Sequence, residues 1–251
     1  MRRPIAHAFT VLVAAAAALI VSAGSAQAQI TQQLIIGNSL TIRTLTSDGS
    51  DVSSITMARG IISMSAPATN KPLSSLRKVF WPTGESASRD GEVCASWLDQ
   101  SDGIVQEGVA LHIVDGRTSV RAVTVTKNVI YGVQWVFNVH TWDSTAAQPF
   151  TVIGQYDMSR VVTANNQYLP FPWRICARTA GATLTFKVWV PSRQAEPSWS
   201  DPVHAVTTSV PAGYVAPGRT GWYVGHLPAG GSAHYGTAAW IYGIGPQQPR
   251  H

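Results

Sequence analysis

The feature that most constrains the fold is a series of short segments in which apolar and polar residues alternate, separated by turn signals. EVCASWL (Glu92–Leu98), TLTFKVWV (183–190) and HAVTTSV (204–210) are examples, and DGR, TAGA and APGRTG are among the turns. Such alternation places successive side chains on opposite faces of a strand. No segment carries an apolar stripe of helical period. Many short strands with turns between them predict an all-β sandwich or barrel.

The N-terminal residues have the pattern of a secretory signal peptide. Arg2 and Arg3 precede an apolar run from Ala8 to Ser22, and Ala26-Gln27-Ala28 is a small-x-small cleavage site. This pattern predicts removal of residues 1–28 and a secreted, extracellular or cell-envelope location. The apolar run is short for a membrane anchor, and no later segment is apolar enough to span a bilayer. An integral membrane protein is therefore not expected.

The charge pattern argues against a nucleic-acid partner. The formal net charge is +5, part of which lies in the predicted signal peptide, and the remaining basic residues are scattered without a run. A nucleic-acid-binding surface needs clustered lysines and arginines. Charged residues are only 12% of the chain, and the abundance of Gly, Ser, Thr and Pro is typical of a β-protein with many turns.

The signal-peptide, strand and turn patterns together divide the chain into four parts. After the signal peptide, residues 29–77 form an N-terminal extension or a few opening strands, with a turn signal at SDGSD. VFWPTGESASRDG, at the start of the main domain, has the composition of a loop. We expect this β-domain to span residues 78–243 and the tail at 244–251 to be flexible.

The two cysteines, Cys94 and Cys176, predict one structural disulfide in an exported protein. Alternation places Cys94 on the same strand face as Glu92, and Cys176 on the same face as Arg174. Both cysteines are therefore predicted to face outward. We expect the disulfide to join neighbouring strands of one sheet.

The segment around Cys176 predicts a β-hairpin. PWRICAR is the first strand, TAGA is a turn in which Gly181 can adopt a positive φ, and TLTFKVWV is the returning strand. Alternation points Leu184, Phe186 and Val188 to the core.

This hairpin, with the motif W-R-x-x-A-R-x-x-G-x-T-L-x-x-K-V-W running into E-P-x-W (Glu196–Trp199), resembles laminin-G-like or concanavalin-like jelly rolls. The similar forms are those of actinobacterial secreted proteins and phage particles. The resemblance spans Glu92–Trp240 and does not cover residues 29–80. This sequence differs from the family at Cys176, where the family has a small aliphatic residue. It implies two stacked antiparallel sheets of six or seven strands each. It implies no single activity, because lectins, glycosidases, lyases and adhesion modules share this fold.

Catalytic and metal-binding patterns are weak. The predicted mature chain has four glutamates, and none forms the alternating carboxylate pair of a retaining glycosidase. The histidines are too dispersed for a zinc motif, and no Gly-x-Ser-x-Gly is present. We expect no cofactor and no bound metal. Calcium at the rim stays open, although the loop aspartates (Asp99, Asp102, Asp115 and Asp143) lack the spacing of a calcium loop.

The most site-like feature is a polar row in QWVFNVHTWD. Gln134, Asn138 and His140 share one predicted strand face, and such side chains offer the donors and acceptors that bind sugar hydroxyls. A polar row is also what the solvated face of any sheet looks like. With Gln155 and Tyr156, the same row offers a neutral base for a polysaccharide lyase on the concave sheet.

Two tryptophans are expected at the surface. Trp142 and Trp199 lie next to turn residues, as does Trp81, so their rings could stack on sugars. The alternative is that they plug the ends of the sandwich.

These patterns favour an exported β-sandwich without enzymatic activity that binds a polysaccharide or cell-envelope glycan, or acts as an adhesion module. The predicted ligand-binding residues are Gln134, Asn138, His140, Trp142 and Trp199. The alternatives are a lyase or glycosidase that uses the polar row, and a purely structural envelope protein. The sequence does not indicate an oligomeric state.

Overall fold

The chain folds into short strands, as the alternating patterns predict. The computed structural model describes residues 39–49, 53–71, 74–101, 104–130 and 132–236, so the predicted signal peptide and tail lie outside the described residues. Its strands are β1 (Leu40–Thr46), β2 (Ser54–Ala58), β3 (Ile61–Ser65), β4 (Arg77–Pro82), β5 (Gly91–Gln100), β6 (Gln106–Asp115), β7 (Val120–Lys127), β8 (Val136–Asp143), β9 (Phe150–Asp157), β10 (Thr163–Ala164), β11 (Gln167–Tyr168), β12 (Trp173–Ala180), β13 (Thr183–Trp189), β14 (Ala205–Ser209), β15 (Arg219–Gly225) and β16 (Ser232–Gly236), with one helical turn, α1 (Ser159–Val162).

Fourteen of these strands form two seven-stranded sheets. The first sheet has the order β1-β4-β15-β6-β7-β8-β9, and the second has the order β14-β13-β12-β5-β16-β3-β2. All pairings in both are antiparallel. The prediction of a two-sheet antiparallel jelly-roll sandwich is confirmed. The small hairpin β10–β11 and helix α1 were not predicted.

The main hydrophobic core lies between the two sheets. Leu184, Phe186 and Val188 point into it, as alternation predicts. Trp97 of the second sheet stacks on Phe137 of the first, with ring centroids 5.8 Å apart and planes 3° from parallel. Burial of such large rings is the main source of favourable free energy in a sandwich of this kind.

The predicted hairpin around Cys176 is confirmed. β12 and β13 pair in register from Arg174 opposite Trp189 to Ala180 opposite Thr183. Gly181 in the turn has φ +57°, a left-handed conformation that glycine adopts without steric cost.

The disulfide is also confirmed. Cys94 and Cys176 are bonded, with Sγ atoms 2.02 Å apart, and face each other across the paired strands β5 and β12. Both lie on the sheet face away from the core, as predicted. Both are nevertheless buried, because Trp189 packs on them and Trp199 covers this cluster.

Two expectations about the start of the domain need correction. Part of the predicted loop VFWPTGESASRDG belongs to β4, which pairs with β1 and β15 inside the first sheet. Trp81 on that strand is buried and not near the surface. The alternation of Arg77, Val79 and Trp81 is a strand signal that the nearby Pro82 and Gly84 obscure.

Gly221 lies where β15 and β4 come very close together. A Cβ atom there would clash with the Phe80 carbonyl oxygen and would lie 2.9 Å from the Trp81 Cβ. We expect Gly221→Ala to lower the free energy of unfolding by at least about 2 kcal/mol, since overpacking forces backbone shifts. Urea unfolding monitored by circular dichroism measures this.

Gly236→Ala is the matched control, because a Cβ there first meets Leu98 at 3.4 Å, an ordinary contact. It should change stability by less than about 1 kcal/mol. Equal effects of the two substitutions would contradict the prediction.

Candidate functional site

The outer face of the first sheet, which points away from the second sheet, carries a second apolar cluster. Its buried members include Val79, Trp81, Trp142 and Tyr223. A simple sandwich presents polar side chains on this face. Large aromatic rings instead form a buried cluster here, which contacts His140 through Trp142.

Asn138 and His140 both lie on this outer face, as predicted. Across the sheet, Asn138 is opposite Thr126 on β7 and Gln155 on β9. The Gln155 amide donates a hydrogen bond to Asn138 Oδ1 at 3.2 Å. Asn138 is buried whereas Gln155 is exposed, so a ligand reaches this pair through the Gln155 carboxamide.

Gln134 does not belong to this row. It lies in the turn before β8 begins at Val136, where its side chain is buried. Its Oε1 accepts a hydrogen bond from the Tyr168 hydroxyl. The backbone N–H of Gln134 in turn donates to the Tyr168 hydroxyl oxygen at 3.2 Å. The prediction that Gln134, Asn138 and His140 share one strand face is wrong for Gln134, because the strand starts two residues later than the alternation indicates.

His140 is held as a neutral imidazole. Its side chain is 5% exposed, between the rings of Trp142 at 5.5 Å and Phe150 at 5.8 Å. Burial, and then the nearby positive charge of Arg77, lower the pKa of His140 to about 4. At neutral pH it can therefore act as a hydrogen-bonding group or a proton acceptor.

Arg77, which sequence reasoning did not select, also lies on this face. Its guanidinium carbon is 5.7 Å from the centroid of Trp142 and 5.5 Å from that of Phe150. It donates to Thr46 Oγ1 at 3.2 Å and to His226 Nε2 at 2.9 Å. No carboxylate of a described residue lies within 4.0 Å of it. This arginine is free of an acidic partner within the described part of the chain.

Trp142 is not exposed, contrary to the prediction. Its ring is 1% exposed and contacts Tyr223 and Phe150, and its Nε1 donates to Thr124 Oγ1 at 2.8 Å. Phe150, on the edge strand β9, is partly exposed, and Val152 beside it is 42% exposed. Phe150 is therefore an aromatic ring that a ligand can reach on this face.

Trp199 lies on the other side of the sandwich, over the disulfide. Its ring centroid is 4.3 Å from the Arg178 guanidinium carbon and 4.4 Å from Lys187 Nζ. Lys187 Nζ also donates to Glu196 Oε1 at 2.6 Å and to the Pro197 carbonyl at 2.9 Å. These contacts fix the loop before Trp199 against the second sheet and keep its ring partly exposed, away from the polar row.

The carboxylates considered for calcium have other partners. Asp115 binds Arg43, Asp143 accepts from the Thr145 hydroxyl at 2.7 Å, and Asp99 Oδ1 is 2.7 Å from His234 Nδ1. Asp102 lies outside the described residues. The described residues contain no group of three His, Cys, Asp or Glu side chains that could hold a metal ion. Within the same ranges, no helix is long and apolar enough to cross a membrane.

Comparison with known proteins gives similarity to solved structures only. No protein-family model matches the chain, and no curated protein matches it. One similar structure is the CBM2 module of the evolved Dit protein of Lactobacillus casei BL23 phage J-1 (14% identity, 78% of this chain and 86% of that chain covered, TM-score 0.46). Another is the exoplasmic/lumenal domain of VIP36 in its Ca2+-bound form (7% identity, 82% and 89% covered, TM-score 0.45).

A third similar structure is a prokaryotic β-1,3-1,4-glucanase derived from a mouse hindgut metagenome (11% identity, 80% and 92% covered, TM-score 0.43). At these identities and TM-scores the likeness concerns the overall sandwich and transfers no ligand or activity. The two-sheet sandwich fold is assigned from the strand pairing of this chain.

Proposed function

We propose that this chain is an exported β-sandwich that binds a polysaccharide or a cell-envelope glycan on the outer face of its first sheet. The observation that carries the proposal is that the Asn138–Gln155 amide pair and the partly exposed ring of Phe150 lie on the same outer face along the paired strands β8 and β9, with His140 and Val152 between them. Carboxamides match the paired donors and acceptors of sugar hydroxyls, and an aromatic ring packs against the apolar face of a sugar.

Arg77 supports an acidic glycan in preference to a neutral one. Its guanidinium lies 5.5 Å from the Phe150 ring centroid and has no carboxylate partner among the described residues. A carboxylate on the ligand would form a charge-assisted pair with it. We therefore expect uronate-containing polysaccharides to bind more tightly than neutral ones of similar length.

Export is supported by the signal-peptide pattern of residues 1–28. A protein secreted from its host should begin at Gln29, and N-terminal sequencing of secreted material tests this. A retained N-terminus in the secreted fraction would contradict cleavage at that position.

The glycan proposal predicts graded losses of affinity. A glycan array with the purified protein identifies ligands, and calorimetric titration then compares variants. Gln155→Ala should weaken binding about three- to tenfold, the effect of losing one hydrogen bond. Phe150→Ala should weaken it by at least about tenfold, because it removes the accessible ring.

Gln167→Ala is the matched control, since Gln167 is an exposed glutamine on β11, outside this face. It should bind with unchanged affinity. Binding that is unaffected by both Phe150→Ala and Gln155→Ala would place the site elsewhere. An array without any binding would favour a purely structural envelope protein.

A second candidate function is a lyase that acts on acidic polysaccharides. The observation that favours it is a neutral His140 next to an arginine without an acidic partner. A neutral imidazole can accept a proton, and a guanidinium can stabilise the charge that develops on a uronate carboxylate. Turnover would appear as unsaturated product that is lost in His140→Gln, whereas ligand binding without product would exclude this function.

A further inference from the structure

An ion pair lies inside the sandwich at one end of the hydrophobic core. Lys127 Nζ is 3.2 Å from Glu107 Oε2, and the two side chains are 1% and 0% exposed. Lys127 follows core residue Val125 by two positions, and Glu107 precedes core residue Val109 by two, so both point between the sheets. Burying such a pair is costly unless further polar contacts satisfy it.

The further contact comes from the second sheet. Lys127 Nζ donates a hydrogen bond to Oε1 of Gln100, the last residue of β5. Strict alternation after Val93 and Trp97 would turn Gln100 outward. The pairing between β5 and β16 shifts at Leu98, so that Gln100 is opposite the core residue Ala233. This β-bulge aims the carboxamide inward, at the lysine of the other sheet.

The surroundings disfavour the charged form of the Glu107 carboxyl. Phe137 is opposite Lys127 on β8 and stacks on Trp97, and Tyr235 is fully buried nearby. Glu107 Oε1 has no hydrogen-bond partner among the described residues. Burial raises the pKa of the Glu107 carboxyl, and the positive charge of Lys127 opposes this rise. Transfer of a proton from Lys127 Nζ to Glu107 would replace two buried charges with a neutral amine and a neutral carboxylic acid.

We propose that Lys127 and Gln100 form an intramolecular amide cross-link, with Glu107 as the acid–base group. Lys127 Nζ, as the free amine, attacks Cδ of Gln100. Glu107, as the carboxylic acid, delivers its proton to the carboxamide nitrogen, which leaves as ammonia, and then accepts the proton that Nζ loses. One carbon–nitrogen bond forms and one breaks, Glu107 is regenerated, and the step requires no oxidant or cofactor.

The cross-link would join the two sheets covalently, since β5 belongs to the second sheet and β7 to the first. Its two residues are 27 positions apart in the chain. This inference does not depend on the proposed glycan site, which lies on the outer face of the first sheet.

Tryptic peptide mapping of the reduced, purified full chain tests the proposal directly. A free Lys127 yields the separate peptides 90–117, 122–127 and 128–160. The cross-link should instead give one branched species in which 90–117 is joined to 122–160, lighter by one ammonia and uncleaved after Lys127. Recovery of the three separate peptides from the wild-type protein would overturn the proposal, and this result needs no variant to fold.

Three variants then test the assigned roles. Lys127→Arg and Gln100→Ala remove the two bonding groups, and Glu107→Ala removes the acid–base group, so each should abolish the branched species. A branched species that persists in Glu107→Ala would overturn the role of Glu107. Lys187→Arg is the matched control, because Lys187 is buried and bound to Glu196 but contacts a backbone carbonyl instead of a carboxamide. It should keep the branched species.

Discussion

Replacing both cysteines with alanine is expected to lower the free energy of unfolding by about 4 to 5 kcal/mol. Cys94 and Cys176 are 82 positions apart, so the disulfide removes much conformational freedom from the unfolded chain. It also fixes the pairing of β5 with β12, because the two residues are directly opposite each other. Both positions are buried, and alanine fits them without burying a polar group. Urea denaturation of the double variant measures the loss.

Reduced wild-type protein is the control for this experiment. It should lose nearly the same stability as the double variant if the effect comes from the covalent bond. A loss of less than about 1 kcal/mol in Cys94→Ala/Cys176→Ala would show that packing under Trp199 and the other strand contacts already fix this region.

The second large effect is a loss of stability in mild acid. Burial and the charge of Arg77 lower the pKa values of both His140 and His226 from 6.5 to about 4 in the folded protein. Between these pH values the unfolded chain binds more protons than the folded one. The stabilising contribution is therefore fully present above pH 6.5 and is lost as the pH falls toward 4. We expect a loss on the order of 2 to 3 kcal/mol for His140 and a smaller loss for the more exposed His226.

Variants separate this effect from other titrating groups. Burial raises the pKa of Glu92 and of Glu107, so these carboxyls act in the opposite direction as the pH falls. The decisive comparison is the slope of unfolding free energy against pH from 7 to 4.5 in wild type and in His140→Gln. The slope should be smaller in the variant. Phe150→Leu, which disturbs the same cluster without removing a titrating group, should keep the wild-type slope, and equal slopes in all three proteins would contradict the prediction.

Local alternation was enough to predict the strands, the hairpin and the outward direction of both cysteines, whereas the two stacked sheets were what the resemblance to jelly rolls implied. In β12 and β13 each side chain has one of two directions, so Phe186 is placed in the core and Cys176 outside it by the sequence of the strand alone. Gly181 also marked the turn between β12 and β13, because glycine adopts the positive φ of this turn without steric cost.

The site was less predictable, because it depends on what covers each strand. Trp142 lies on the outer face of β8, yet Phe150 and Tyr223 pack around its ring and Arg77 lies over it. Arg77 is separated from His140 by more than two strands of the first sheet and by a long stretch of sequence, and no local pattern reports such proximity. A β-bulge is equally hard to predict from a local pattern, since a single extra residue at Leu98 reverses the direction of the Gln100 side chain.

The order of strands in the second sheet has a consequence for the time course of folding. β16, the last strand described, lies between β3 and β5, so the hairpin β2–β3 joins its sheet only through a strand that is synthesised after all the other described strands. β15 has the same position between β4 and β6 in the first sheet. A ribosome-bound chain that stops before residue 219 cannot close either sheet. The native state is thus reached only after translation has passed both segments, and such long-range pairing makes the final step slow.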